Sequence, residues 1–180
     1  MNDIELIFPT KEYESDAMEY REEHIANGEK SIQGDCGLDC AENYDEWFRK
    51  INDALNHDIF SIIFFAVRKN DKKLIGTINI RYPYLDYVQI HGHIGYSVRP
   101  SERRKGYATK MLTLALEYCA TAGLDKVLLT CDKSNIASSK TIIKCSGVLE
   151  SEEIQNNGEI VQRYWIELKL YKQFVLMYIS

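Results

Sequence analysis

The sequence predicts an α+β (α/β) fold, with a mixed, mostly antiparallel central sheet of about six to seven strands flanked by about four helices. Short runs rich in β-branched and aromatic residues recur along the chain, and several alternate in polarity. Two of these runs lead directly into a helical pattern, which favours parallel neighbours. Polar turns join two other pairs of runs as hairpins. The combination predicts a sheet of mixed direction.

Composition limits the class of protein and its partners. The 180 residues are 45% hydrophobic, which suits a single domain over 1–180 with a good-sized core. A net charge of −5 argues against a nucleic-acid partner. No stretch is apolar enough to span a membrane, and the first residues lack a signal pattern. Five cysteines without framework spacing favour a reducing cytoplasm.

The N-terminal third begins with a strand and a helix. Ile4–Phe8 reads as a strand, and Tyr13–Ile25 as a helix rich in charge with Thr10 as its N-cap. The stretch Gly28–Asn43 then reads as a long loop whose role the sequence leaves open. Its C-x-x-x-C pair has no second cluster to complete a zinc site, so ordinary thiols are expected and no metal.

A second helix and a hairpin follow. Tyr44–Asn56 forms the helix, with one apolar face made of Trp47, Phe48, Ile51 and Leu55. Ser61–Arg68 and Leu74–Arg81 form the hairpin. A tyrosine-rich connection, Tyr82–Tyr87, then leads into a strand that is predicted to carry His91 and His93 on one face.

The centre of the chain is a strand, a basic loop and a long helix. Ile94, Tyr96 and Val98 alternate as in a strand, and the buried face of the helix begins at Ala108. Gly123 supplies the residue that ends this helix. A helix start has about four unpaired N–H groups and a partial positive charge, so the loop Arg103–Ala108 suits an anion such as phosphate. The alternative is a solvated basic turn.

The last third repeats the strand-to-helix pattern. Lys126–Cys131 reads as a buried strand and Asn135–Cys145 as a shorter helix. A strand that begins at Val148 turns at Asn156–Gly158 and returns as Ile160–Leu168. The apolar residues 169–180 are a possible C-terminal extension that covers the sheet or forms an oligomer contact.

Two motifs carry a resemblance to a known family. The loop R-x-x-G-x-A, after a strand ending in V-x-P, resembles the acetyl-CoA pyrophosphate loop of the GNAT-type N-acetyltransferase superfamily, particularly its small bacterial members. The run NIASSKTIIKCSGVLE resembles that superfamily's N-x-x-S/A helix. The resemblance covers about Ser61 to Leu168. It implies a GNAT-like, acyl-CoA N-acyltransferase fold and acetyl-CoA as cosubstrate.

The resemblance also implies positions for the cofactor. The pantetheine arm would pair with the backbone of Tyr96, Ser97 and Val98, and Asn135 would bind the pantetheine side with Ser138 near the phosphates. Asn135 and Ser138 also have plain explanations, as a helix N-cap and a surface hydroxyl. The pyrophosphate would lie on the loop formed by Arg103, Arg104, Lys105, Gly106, Tyr107, Ala108 and Thr109.

The catalytic residues are less clearly marked. The usual base of the family is a carboxylate on the strand before the loop, and His93 appears at that position here; a structural or substrate-contacting histidine is the alternative. The family's tyrosine acid falls on Ile142. Tyr164 is a weak substitute, and a thiolate leaves well enough to make a dedicated acid dispensable.

The leading interpretation is an N-acetyltransferase that moves an acetyl group from acetyl-CoA to a primary amine by direct transfer in a ternary complex. The acceptor is a small amine, or a protein N-terminus or lysine. One alternative is a non-catalytic acyl-CoA-binding regulatory module, and another is a plain nucleotide-binding protein. We expect a cytoplasmic monomer or homodimer.

Overall fold

The computed structural model of the chain describes residues 3–56, 61–82, 86–169 and 171. Short 3₁₀ turns precede two of the helices, at Lys11–Tyr13 and Pro100–Glu102. The helices are α1 (Glu14–Ala26), α2 (Tyr44–Asn56), α3 (Asp86–His91), α4 (Tyr107–Thr121) and α5 (Ile136–Lys144). The strands are β1 (Ile4–Ile7), β2 (Ser61–Arg68), β3 (Leu74–Arg81), β4 (Ile94–Val98), β5 (Lys126–Asp132), β6 (Val148–Ile154) and β7 (Ile160–Glu167).

The strands form two antiparallel sheets, which confirms the predicted fold class and refines it. The first sheet has the order β1-β2-β3-β4, and the second has the order β5-β7-β6. A backbone hydrogen bond of 2.7 Å from His93 N to Leu128 O links the two sheets at the start of β4. Beyond this point β4 and β5 are not paired in a ladder. A gap therefore opens between these two strands.

Hydrophobic clusters lie on both faces of the first sheet. One cluster packs α4 against the sheet and holds Met111, Leu112 and Leu116, all fully buried. The other packs α1 and α2 on the opposite face, where the Trp47 ring stacks on Phe65 at a centroid distance of 5.7 Å. Trp47 and Ile51 of the predicted apolar face of α2 are buried, and so is most of the predicted face of α4.

The end of α4 forms as the sequence predicts. Gly123 has a left-handed φ of 93°, which costs a residue without Cβ little. Its N–H donates to Ala120 O, and the N–H of Leu124 donates to Cys119 O. These two bonds are those of a Schellman motif, which satisfies the last carbonyl groups of a helix.

The predicted strand through His91 and His93 is wrong in its first half. Residues Asp86–His91 form α3, and Gly92 then turns the chain with a φ of 72° before β4 begins. A Cβ on Gly92 would lie 2.9 Å from Leu128 O, so the glycine also permits the close approach to β5. The two histidines consequently do not share a strand face.

The loop Gly28–Asn43 packs against β4. Its residues Ile32, Leu38 and Ala41 are buried in the cluster that contains α1 and α2. The indole Nε1–H of Trp47 donates to the backbone carbonyl of Asp35 at 3.0 Å. The loop is therefore part of the core on that face.

Parts of two expectations lie outside the described residues. Of the tail 169–180, only residues 169 and 171 are described, so its role as an extension stays a prediction. Residues 83–85 of the tyrosine-rich connection also fall outside. In the described part of the chain, no helix combines the length and the apolarity that crossing a bilayer requires.

Gly34 provides a test of how tightly the loop fits. It has a φ of 76°, and a Cβ added there would lie 2.2 Å from Gly95 O. We expect Gly34→Ala to lower the free energy of unfolding by about 3 kcal/mol or more, from backbone strain plus overpacking. Urea denaturation measures this change.

Gly37→Ala is the matched control for this substitution. Gly37 has a φ of 83° in the same loop, but a Cβ there meets nothing within 4 Å. We expect a loss of about 1–2 kcal/mol from the left-handed conformation alone. Equal losses for the two variants would contradict the close contact between Gly34 and β4.

Candidate cofactor and active site

The first turn of α4 presents unpaired backbone N–H groups to solvent. Gly106 precedes the helix with φ 82° and ψ 4°, a left-handed conformation followed by a helical one. Such a pair of conformations turns successive N–H groups toward one point and forms an anion-binding nest. No described residue accepts a hydrogen bond from the N–H groups of Gly106, Tyr107 or Ala108. A Cβ on Gly106 would meet nothing within 4 Å, so the turn is open.

The three cations before this turn differ in their surroundings. Arg103 forms an ion pair with Glu29 at 2.7 Å, and Lys105 forms one with Glu102 at 2.9 Å. Arg104 is exposed, has a left-handed φ of 64°, and makes no hydrogen bond or ion pair within the described part of the chain. The protein's own acids therefore relieve part of the repulsion between the basic run and the helix dipole.

Glu102 is the buried anion that organises this loop. Its side chain is 5% exposed and forms ion pairs with Arg68, Lys73 and Lys105 at 2.9–3.0 Å. Burial opposes its ionisation, yet the hydrogen bonds from Lys105 and Lys73 hold the pKa of Glu102 at about 2. Arg68 also donates to the hydroxyl of Tyr107. The loop before α4 is therefore held to Arg68 at the end of β2 and to Lys73 just before β3.

The backbone of β4 alternates between β3 and the gap. The N–H of Arg99 donates to Ile75 O, and Thr77 lies opposite Ser97 in the ladder. Since hydrogen-bonded pairs alternate in an antiparallel ladder, Ser97 is paired with β3. The backbone groups of Tyr96 and Val98 consequently point toward β5. Two of the three predicted strand residues thus face the gap.

The start of α5 lies across the gap from β4. Asn135 caps the helix, because its Oδ1 accepts the N–H of Ser138 at 3.0 Å. The Ser138 hydroxyl lies 3.1 Å from the hydroxyl of Tyr96. Burial raises the pKa of Tyr96 to about 12. Ile142, one turn further along the helix, is fully buried in the core.

His93 is buried where the two sheets meet. Its Nδ1 accepts a hydrogen bond of 2.9 Å from the N–H of Leu128. A neutral ring that accepts at Nδ1 carries its proton on Nε2. Burial lowers the pKa of His93, which favours this neutral form. This geometry favours the structural alternative for His93, and its role as a base stays a prediction.

Tyr164 lies on β7 and is 3% exposed. Its hydroxyl donates to the side-chain carbonyl of Gln162 at 2.8 Å, and burial raises its pKa. The structure brings the loop residues, β4 and the start of α5 together around the gap, whereas Tyr164 belongs to the core of the second sheet.

Comparison with known proteins identifies the family. The family model described as an acetyltransferase (GNAT) domain matches residues 12–147. The chain belongs to the GNAT acetyltransferase family. The family uses acetyl-CoA as its acetyl donor, and the protein is an acetyl-CoA-dependent N-acetyltransferase. The comparison with curated proteins found no matching sequence.

Solved structures share the fold of this acetyltransferase. The microcin C7 self-immunity acetyltransferase MccE, in complex with acetyl-CoA and AMP, is 19% identical, with a TM-score of 0.70 and 93% of each chain covered. A spermidine N-acetyltransferase SpeG chimera from Vibrio cholerae and hSSAT is 20% identical, with a TM-score of 0.67 and coverage of 94% of this chain and 98% of that chain. A putative ribosomal-protein-serine acetyltransferase from Vibrio cholerae is 14% identical, with a TM-score of 0.68 and coverage of 93% and 95%.

The residues at the start of α4 suit acetyl-CoA. The open turn at Gly106 and the exposed guanidinium of Arg104 offer what a diphosphate requires: N–H groups without partners and a free positive charge. Sequence reasoning missed the acid that supports this acetyltransferase loop, Glu102, and its partner Arg68. Their separation of 34 residues leaves no local signal in the sequence.

The ion pairs of Glu102 should make a pH-dependent contribution to the free energy of unfolding. Its folded-state pKa lies below the ordinary value of 4.5, so its contribution is complete above about pH 5 and is lost as the pH falls toward 2. We expect Glu102→Gln to lower the free energy of unfolding by about 3 kcal/mol at pH 7, with the difference from wild type shrinking below pH 4.5. Urea denaturation at pH 7, 4 and 3 measures this.

Glu5→Gln is the control, because Glu5 forms an exposed pair with Lys72. Such surface pairs contribute at most about 1 kcal/mol, so a small and nearly constant loss is expected. A Glu102→Gln loss that stayed constant down to pH 3 would show that packing, and not the charge, accounts for the effect.

Proposed function

We propose that the protein transfers the acetyl group of acetyl-CoA directly to a primary amine while both substrates are bound. The observation that carries this proposal is the open first turn of α4 beside the unpaired edge of β4. A diphosphate on the turn would place the pantetheine arm next to the gap-facing groups of Tyr96 and Val98. The arm would then run back along β4 toward Ile94.

The chemistry requires a polarised carbonyl and a neutral amine. A backbone N–H on the gap side of β4 is positioned to donate to the thioester oxygen, as oxyanion-stabilising donors do. An amine with a pKa near 10.4 is mostly protonated at pH 7, and releasing its proton costs about 4–5 kcal/mol. Direct transfer needs no covalent enzyme intermediate, and Cys131 and Cys145 have pKa values raised by burial, which suits them poorly as nucleophiles.

His93 is the side chain that we propose for orienting the reacting groups. Its Nδ1 is engaged by Leu128, so its Nε2–H is available as a donor and not as a proton acceptor. For His93 to act as the general base, the ring would have to give up the hydrogen bond to Leu128 or change tautomer. Tyr164 as the thiol acid likewise remains a proposal, and its hydroxyl is engaged by Gln162.

The acceptor class is a small amine, or a protein N-terminus or lysine. One structural neighbour is named for spermidine, a small polyamine, and another for a ribosomal protein. Thiol release from acetyl-CoA, measured with spermidine, simpler amines and lysine-containing peptides, separates these classes. Tight CoA binding with no turnover on any amine would favour the non-catalytic acyl-CoA-binding alternative.

We further propose a single acetyltransferase domain over residues 1–180 in the cytoplasm, as a monomer or homodimer. All five cysteines are free thiols, which suits a reducing compartment. A neighbouring spermidine N-acetyltransferase structure is dodecameric, so light scattering of the purified protein is the measurement that tests the oligomeric state.

Gly106→Glu tests the placement of the cofactor. The new carboxylate would occupy the open turn and repel a diphosphate, so we expect the Kd for CoA to rise at least about a hundredfold. Isothermal titration calorimetry measures the change. Gly123→Glu is the control, since Gly123 has a similar left-handed φ and open surroundings at the other end of α4. Unchanged CoA affinity in the Gly106 variant would refute the proposed cofactor site.

His93 can be tested with two amides of different length. The Oδ1 of His93→Asn can replace the Nδ1 that accepts from Leu128 but leaves the Nε2 position empty, whereas the longer His93→Gln can place its amide NH2 near Nε2. For an orienting role through Nε2–H we expect kcat to fall less than about tenfold in the Gln variant and more in the Asn variant, with CoA affinity nearly intact. A loss of about a hundredfold or more in both, together with the loss of the acid limb from the pH profile of kcat/KM, would instead establish His93 as the base.

A further inference from the structure

Helix α1 and the segment after it are joined to the cofactor loop by a chain of charged side chains. Glu29 accepts a 2.8 Å hydrogen bond from Nδ1 of His24, which is fully buried. The same carboxylate binds Nη2 of Arg103 at 2.7 Å through Oε1 and 3.0 Å through Oε2. Asn27 donates to it as well, at 2.8 Å. The carboxylate is therefore held on one side by α1 and on the other by the loop.

The guanidinium of Arg103 is also engaged by the end of β4. Its Nε donates to Val98 O at 3.0 Å. Val98 is one of the residues whose backbone groups point toward the gap, so this bond satisfies a carbonyl that would otherwise lack a partner on that side. Arg103 therefore bridges three segments: α1, the end of β4 and the loop.

A second connection runs parallel to the first. Glu23 accepts the N–H of Ser101 at 2.6 Å, and its other oxygen lies 3.6 Å from Nη1 of Arg99. Arg99 is 4% exposed and donates through Nη2 to Asp16 O at 2.9 Å. The segment between β4 and α4 is thus attached to α1 at two points.

We propose that Arg103 is a positioning residue, which sets the anion-binding turn of α4 through Glu29 and His24, and that Arg104 is the arginine whose side chain contacts the diphosphate. The guanidinium of Arg103 is occupied by a carboxylate and a carbonyl, whereas Arg104 is exposed beside the same turn and makes no hydrogen bond or ion pair with any described residue. The inference rests on the proposed placement of acetyl-CoA and assigns the roles of two neighbouring cations within it.

For Glu29→Gln we expect a change in CoA affinity opposite to the one that charge repulsion alone would produce. Removing an acid close to an anion site ordinarily strengthens anion binding, because repulsion is relieved. If Glu29 positions Arg103 and the turn, the same substitution instead weakens binding. We expect the Kd for CoA to rise about fivefold to tenfold, with kcat at saturating acetyl-CoA within about twofold of wild type. Calorimetry and steady-state kinetics measure the two quantities.

Substitutions of the two arginines separate their roles. Arg103→Lys keeps the charge but loses the planar fork that reaches both Glu29 and Val98 O, so we expect a loss of affinity similar to that of Glu29→Gln. The double variant Glu29→Gln/Arg103→Lys should be no worse than either single variant, since both act on one interaction. Arg104→Gln should weaken CoA binding independently, and its effect should add to that of Glu29→Gln.

Glu22→Gln is the matched control on the same helix. Glu22 is exposed and makes no hydrogen bond or ion pair with a described residue, so its loss should leave the Kd for CoA unchanged. Tighter or equal CoA binding by Glu29→Gln, or full affinity in Arg103→Lys, would overturn the inference while leaving the proposed function standing. A wild-type protein that failed to bind CoA at all would instead remove the proposed function itself.

Discussion

The backbone N–H groups at the first turn of α4 are the constraint around which the rest of the structure is arranged. These groups have no acceptor among the described residues, and the glycine before them leaves the turn open. An unpaired helix start with a basic neighbour attracts an anion, because the helix dipole and the side-chain charge act in the same direction. Glu102 keeps this turn attached to the sheet through Arg68 and Lys73, so that the site is held in place before any ligand arrives.

The second requirement is a strand with one free edge beside that turn. β4 is paired with β3 on one side, and it separates from β5 after the contact at His93 and Leu128. The unpaired edge of a strand presents backbone N–H and C=O groups that can pair with an extended chain. A pantetheine arm along this edge is part of the proposed placement of acetyl-CoA. The same split explains why the protein has two short sheets where one sheet of about six to seven strands was predicted.

The elements on the opposite face of the first sheet connect the two halves of the site. Helix α1 reaches the cofactor loop through the Glu29–Arg103 pair, and the loop Gly28–Asn43 packs with Gly34 against Gly95 of β4. The segment that follows α1 therefore contacts both the basic loop, through Glu29, and β4, through Gly34.

The sequence by itself determined the elements that rest on local rules. The β-rich runs of β2 and β3, the buried face of α4, its end at Gly123 and the turn at Gly158 all follow from patterns within a few residues, and each is found where it was predicted. The basic motif could also be recognised in the sequence, because it consists of neighbouring residues. Helix α3 could not be predicted in this way, since the short segment before Gly92 carries too weak a pattern to separate a helix from a strand.

Only the tertiary structure decided which of the three consecutive cations is free. Glu29 lies 74 residues from Arg103, and no local pattern indicates that these side chains meet. The same holds for the hydrogen bond from Leu128 to His93, which spans 35 residues and fixes the tautomer of the imidazole. Propensity and periodicity act over a few residues, whereas the state of a charge depends on every group that packing brings within hydrogen-bond distance. The basic motif is a pattern among neighbouring residues, whereas the partners of each of its side chains are set by the fold.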